Sequence, residues 1–148
     1  MKFNTKTRYG LRTMVEIAIR GRERGVLQKE ISERQKISFK YLDPIVAALK
    51  AAGLIVKAGG RMSGYRLSRD PAAISTYDIY RAFERELIIA DCLAGGENGG
   101  HDHYSASREF WLGLNDLIVQ YLRSIKLEDI AKKQQAINAR KEEPMFFI

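Results

Sequence analysis

Between Ser38 and Asp43 the chain sets a hydroxyl, an aromatic ring, an ammonium, a phenol and a carboxylate close together: Ser38, Phe39, Lys40, Tyr41 and Asp43. These types at this spacing make no nucleophile–base pair, but they are groups that read a DNA major groove. Lys40 can reach guanine acceptors, Asp43 can accept from a cytosine amino group, and Phe39 can touch a thymine methyl. Ser38 and Tyr41 can donate to phosphates or base edges. Three of them also have plainer assignments: Ser38 or Asp43 as a helix N-cap, and Tyr41 as core beside an apolar stripe. An exposed Phe beside a Lys has no such alternative use.

A second group with chemical potential is Cys92, His101 and His103, in the Gly-rich stretch DCLAGGENGGHDHY at 91–104. His101, Asp102 and His103 are metal-ligand types, but alternating residues in a loop need not converge, so no metal site is assigned. Asp91 beside Cys92 opposes formation of a thiolate, which favours a structural role for the cysteine over thiol sensing. The three stand as candidate sensor residues. A single cysteine excludes an internal disulfide. No nucleophile elbow, P-loop or zinc-protease signature occurs, and GGRMSG lacks the Lys-Ser/Thr ending of a phosphate loop. Catalysis is not expected.

Local signals supply the elements that would position the first group. Thr5 or Thr7 can cap a helix running to about Arg20, with Tyr9, Leu11, Met14, Val15, Ile17, Ala18 and Ile19 close to helical spacing. Residues 28–34 read as a short helix with Ile31 inward, followed by the turn Gln35-Lys36-Ile37. Lys36 falls where such turns favour Gly, at a strain of about 1 kcal/mol. Ser38 then caps a second helix whose Leu42, Ile45, Val46, Leu49 and Ala52 form one buried stripe, closed by Gly53. Pro44 permits two readings: a long helix distorted near its start, which is favoured, or a helix starting at Asp43 with Pro44 first. LIVKA and YRLS read as strands around a tip, GGRMSG, where Gly59, Gly60 and Gly64 allow a tight turn and Arg61 can enter a minor groove or face solvent. This order predicts a mainly α fold, a winged helix-turn-helix with a small β-hairpin wing.

Beyond Pro71 a short helix is expected over Ser75–Phe83, and a long one from Ala106 to Ser124. Phe110, Leu114, Leu117, Ile118, Tyr121 and Leu122 repeat along the latter at three and four residues. A stripe this apolar calls for a partner surface, read as a dimerisation helix; the alternative packs it back on its own domain. The last stretch, KKQQAINARKEEP, is polar and reads as a loosely held tail. The expected divisions are 1–74 for DNA binding, 75–104 for a short helix and sensor-type loop, 105–126 for dimerisation, and 127–148 for the tail.

The net charge of +7 is unevenly distributed. Residues 1–70 hold 16 Lys/Arg against 6 Asp/Glu, whereas 71–148 hold 9 against 12. A basic front and a mildly acidic back suit a polyanion on the front only. Phosphate contacts are therefore sought among Lys2, Lys6, Arg8, Arg12, Lys29, Lys40, Lys50, Lys57 and Arg61. The start MKFNTKTRYG lacks the apolar core of a signal peptide and no run of apolar residues suits a membrane span, so a cytoplasmic protein is expected.

The runs TKTRYGLRTMVEIA (5–18), QKEISERQKISFKYLDPIVAALKAAGLI (28–55) and SGYRLSRDPAAIS (63–75), with Trp111 in the long helix, resemble the Rrf2 family of bacterial winged-helix repressors, including its iron–sulfur-cluster regulators. The resemblance covers about residues 1–130. It implies a homodimer on double-stranded DNA with a palindromic operator, and a sensor loop in which many members bind an iron–sulfur cluster through three cysteines. This chain departs from that set. Cys92 matches the first cysteine, Ser105 stands in the place of the third, no cysteine lies near 98–101, and Arg108 stands where some members have a ligand histidine. A cluster needs roughly four thiolate or imidazole ligands, so no cofactor is expected. A regulator acting mainly through a partner protein, with DNA contact secondary, is the alternative function.

Overall fold

The computed structural model of the chain describes residues 2–61, 63–94 and 105–142. The elements are α1 (Thr5–Arg20), α2 (Gln28–Gln35), α3 (Phe39–Ala51), β1 (Ile55–Lys57), β2 (Tyr65–Leu67), α4 (Thr76–Phe83), α5 (Ala106–Ser124) and α6 (Leu127–Glu142). Short 3-10 turns lie at Pro71–Ala73 and Asp91–Leu93.

Asn4 caps α1, in place of the expected Thr5 or Thr7. Its Oδ1 accepts from the Thr7 backbone N–H at 2.8 Å and lies 2.9 Å from the Thr7 hydroxyl. That hydroxyl is also 2.8 Å from Glu84 Oε2, so Thr7 ties the helix to the segment after α4. At the start of α2, Glu30 Oε2 accepts from the Leu27 N–H at 3.0 Å, satisfying a donor that the helix leaves free. The turn to α3 puts Lys36 at φ 55°, the left-handed conformation expected there, with Ile37 buried beneath it.

Ser38 caps α3 through its Oγ, which accepts from the Tyr41 N–H at 3.1 Å. Pro44 lies inside the helix, so the longer of the two readings is the correct one. Four residues of the stripe, Leu42, Ile45, Val46 and Leu49, are buried; the fifth, Ala52, is exposed. Gly53 sits one position past the cap residue Ala52, at φ 72°. The Gly53 N–H donates to Lys50 O at 2.9 Å and the Leu54 N–H to Leu49 O at 3.0 Å, a Schellman closure that needs the left-handed glycine.

Strands β1 and β2 pair antiparallel in the register Ile55↔Leu67, Val56↔Arg66 and Lys57↔Tyr65. Val26 joins the same hairpin by an antiparallel bridge to Tyr65. A Cβ on Gly64 would lie 2.1 Å from the Val26 carbonyl carbon, so only glycine lets the two backbones approach this closely. The core beneath the wing is Met14, Ile17, Val26, Ile31, Leu42, Ile45, Leu49, Leu54, Ile55, Ile74 and Ile79.

Helix α4 starts with a reciprocal cap: Ser75 Oγ accepts from the Asp78 N–H at 3.1 Å, and Asp78 Oδ2 accepts from the Ser75 N–H at 2.9 Å. The stretch beyond Ser124 overturns the expectation of a loosely held tail, because 127–142 is the helix α6 packed along α1. Leu127 is fully buried and joins the core, and its N–H donates to Ile74 O at 2.8 Å. Only its first turns carry buried residues, Leu127 and Ala131, so most of this helix offers no apolar periodicity to be read from sequence.

Candidate nucleic-acid interface

The starts of three helices meet around the first turn of α3. The side-chain amide of Gln28, the first residue of α2, donates through Nε2 to Asp43 Oδ1 at 2.5 Å and to the Phe39 carbonyl at 3.4 Å. A shallow groove of about 330 Å³ lined by Thr5, Tyr9, Lys36, Ile37, Ser38 and Tyr41 joins the start of α1 to the start of α3.

Within this convergence Ser38, Lys40 and Asp43 are exposed, and Phe39 keeps 51% of its surface in water. Phe39 precedes Leu42 by three residues and Val46 by seven, at the outer end of the apolar stripe, yet it is exposed and is not part of the core. Tyr41 is half-buried and packs edge-to-face on Tyr9, with ring centroids 5.6 Å apart. Its ring therefore belongs to the α1–α3 contact. Ser38 is taken up as the N-cap, as one of its two readings anticipated. Asp43 caps nothing and is held by Gln28, a contact for which the sequence offers no signal because it joins residues of different helices.

Among the cations, Lys6 and Arg8 are exposed on the first turns of α1, Lys29 on α2, and Lys40 on α3. Arg8 Nη2 donates to Thr5 Oγ1 at 3.2 Å. Arg61 is exposed at the hairpin tip. Arg12 is committed elsewhere: its Nε donates to Gln35 Oε1 at 3.1 Å, an Nη2 hydrogen bond reaches the Gln35 carbonyl, and the guanidinium lies over Tyr9, 5.0 Å from the ring centroid. Gln35 Nε2 in turn donates to the buried Glu16 at 2.9 Å, which pairs with Arg20 at 3.2 Å. This chain of contacts fixes the α2–α3 turn. Lys50 leans over the Tyr65 ring at 5.7 Å.

Helix α5 presents a different surface. None of its residues is buried. Phe110, Leu117 and Tyr121 are 63%, 64% and 65% exposed, with Leu114 beside them. The other face is attached to the body: Thr76 Oγ1 donates to Leu122 O at 2.5 Å, and Asn115 Oδ1 accepts from the Ile89 N–H at 3.0 Å. Ile118 and Leu122 are half-buried on that side.

Cys92 is half-exposed in the 3-10 turn next to α5. His101 and His103 lie outside the described residues. Among the described residues no group of three or more His, Cys, Asp and Glu is placed to hold a metal, and no helix is long and apolar enough to cross a membrane.

A helix-turn-helix backed by a two-stranded wing, with its second helix exposed at the N-terminal turn, defines a winged-helix regulator of transcription. A family model named Rrf2, described as an iron-dependent transcriptional regulator, matches residues 3–133, and the chain belongs to that family. It is 34% identical, over the full length of both chains, to the HTH-type transcriptional regulator CymR of Bacillus subtilis. It is 30% identical to IscR of Xenorhabdus nematophila, over 93% of this chain and 84% of that one. Among solved structures, that of CymR, the global cysteine regulator of B. subtilis, superposes with a TM-score of 0.76 at 34% identity, covering 90% of this chain and 98% of the other. The T. potens IscR structure superposes with a TM-score of 0.72 at 32% identity, covering 90% and 88%. The family and these relatives are transcriptional regulators, not enzymes. The family description names iron, but an iron–sulfur cluster requires roughly four thiolate or imidazole ligands. With Cys92 the one cysteine of the chain, the donor set does not fit such a cluster.

Proposed function

We propose that this protein is a sequence-specific DNA-binding repressor that acts in the cytoplasm as a homodimer on a palindromic operator. Phe39 and Lys40 read bases in the major groove, with Asp43 beside them. Lys6, Arg8, Lys29 and Ser38 contact phosphates, Arg61 follows the backbone or minor groove at the wing, and Tyr41 supports the reading helix. Phe110, Leu114, Leu117 and Tyr121 meet their counterparts in the second subunit, while Ile118 and Leu122, expected in the same stripe, pack on the side of the helix that faces the body. Residues 1–74 form the DNA-binding head and 105–126 the dimerisation helix.

The observation that carries this reading is the half-exposed Phe39 ring beside Lys40, on the face where α1, α2 and α3 begin. A large apolar group left in water next to a cation is explained by a partner that offers thymine methyls on its groove floor and phosphates on its rim. The basic excess of residues 1–70 agrees with it.

Fluorescence anisotropy tests the proposal, using promoter duplexes and scrambled controls across a salt series. The expected result is sequence preference together with a steep fall of log affinity with log salt. Lys6→Ala should flatten that slope by about 0.9 for each phosphate that is no longer neutralised. Equal binding to all duplexes and a flat salt response would reject the reading. Stoichiometric co-purification of another protein, surviving replacement of Lys40 and Arg61, would favour action through a partner.

A further inference from the structure

Asp43 is an exposed carboxylate on a helix face meant to approach a polyanion. Left to rotate, such a group repels phosphates and discriminates poorly among bases. Here it does not rotate freely. Gln28, reaching over from α2, donates to Asp43 Oδ1 at 2.5 Å, and the same amide nitrogen reaches the Phe39 carbonyl at 3.4 Å. A carboxylate offers acceptor sites on both oxygens. With Oδ1 engaged by Gln28, Oδ2 is left as the second acceptor. The Gln28 Oε1 has no donor among the described residues.

We infer that Gln28 is a specificity-positioning residue, which holds Asp43 as a fixed hydrogen-bond acceptor for a base with an exocyclic amino group. This rests on the DNA-binding reading above and names what the first turn of α3 selects. In the major groove only cytosine, through N4, and adenine, through N6, present such a donor, whereas guanine O6 and thymine O4 are acceptors that a carboxylate repels. A charge-assisted hydrogen bond from a neutral amide orients the carboxylate without cancelling its charge. Fixing its rotamer before binding also reduces the entropy cost of association.

The test is binding-site selection by the full chain from duplexes with a randomised core of about 30 bp, wide enough for two half-sites. Wild type is compared with Gln28→Met, which keeps the length without the donor, with Gln28→Glu, which sets a second carboxylate against the first, and with Asp43→Asn. The wild-type sites should contain, in each half, one position dominated by cytosine or adenine. Gln28→Met, Gln28→Glu and Asp43→Asn should each relax that position by about tenfold and leave the other positions and the melting temperature as they were. The Gln28→Met/Asp43→Asn pair should relax it no further than Asp43→Asn alone, as expected of residues acting through one contact. An unchanged preference in Gln28→Met, equal loss at every position, or effects of Gln28 and Asp43 at different positions would each overturn the inference while leaving DNA binding standing. If wild type enriches no sequence, the DNA-binding reading fails and this inference falls with it.

Discussion

In α3 the apolar residues Leu42, Ile45, Val46 and Leu49 are sealed against α1, α4 and the wing. In α5 the residues Phe110, Leu114, Leu117 and Tyr121 follow the same spacing and stand in water. Periodicity of this kind says that a helix has an apolar face. It does not say who covers that face. The answer lies in what the neighbouring segments can offer: α3 is enclosed by short connections on both sides, whereas α5 is attached to α4 along one side and, among the described residues, has nothing opposite the other. A stripe open to this extent is itself a statement about assembly.

Substitutions that separate the two stripes put this comparison at risk. The largest effect is expected from Leu117→Asp. In a two-fold interface the change occurs twice, so dimer association should fall by on the order of a hundredfold or more. Sedimentation velocity should then show a single subunit whose unfolding midpoint matches that of the dissociated wild type. A wild-type chain that sediments as one subunit at all concentrations would remove the distinction. Next comes Leu49→Ala, which should cost about 2–5 kcal/mol in urea unfolding through reduced burial and the cavity left behind. Because this stripe is filled from within, that cost should not depend on protein concentration. The smallest effect belongs to the turn that leads into α3: Lys36→Gly removes a left-handed side chain and should stabilise the head by up to about 1 kcal/mol, the relief outweighing the added freedom of the unfolded chain.

Much of this architecture is legible in the residues. The Ser38 cap, the glycine closure after Ala52, the left-handed Lys36 and the limits of α5 at Ala106 and Ser124 follow from local rules that act over one turn. What escapes the sequence is pairing across helices. Arg12 reads as a free cation until Gln35 is found beside it, and Asp43 reads as a free acceptor until Gln28 is. Asn4 takes the cap expected of Thr5 or Thr7, and the Thr7 hydroxyl is engaged by Glu84 from 77 residues away. Helix α6 is hidden for a related reason: it is held mainly through its first turns, against Ile74 and α1, and the rest of its sequence carries no stripe.

One consequence follows from the proline inside α3. Its ring nitrogen carries no hydrogen, so the carbonyl of Lys40 lacks the usual donor from four residues on, and the ladder is short of one rung between the turn that holds Phe39 and the turns that hold Ile45 and Leu49. The two parts therefore lack that one connection. The outer turn is closed by the Ser38 cap, while the inner turns are set by the core. The helix is thus anchored twice, by a cap at its outer end and by the core at its inner end, so a change to either anchor should be felt mainly at its own end.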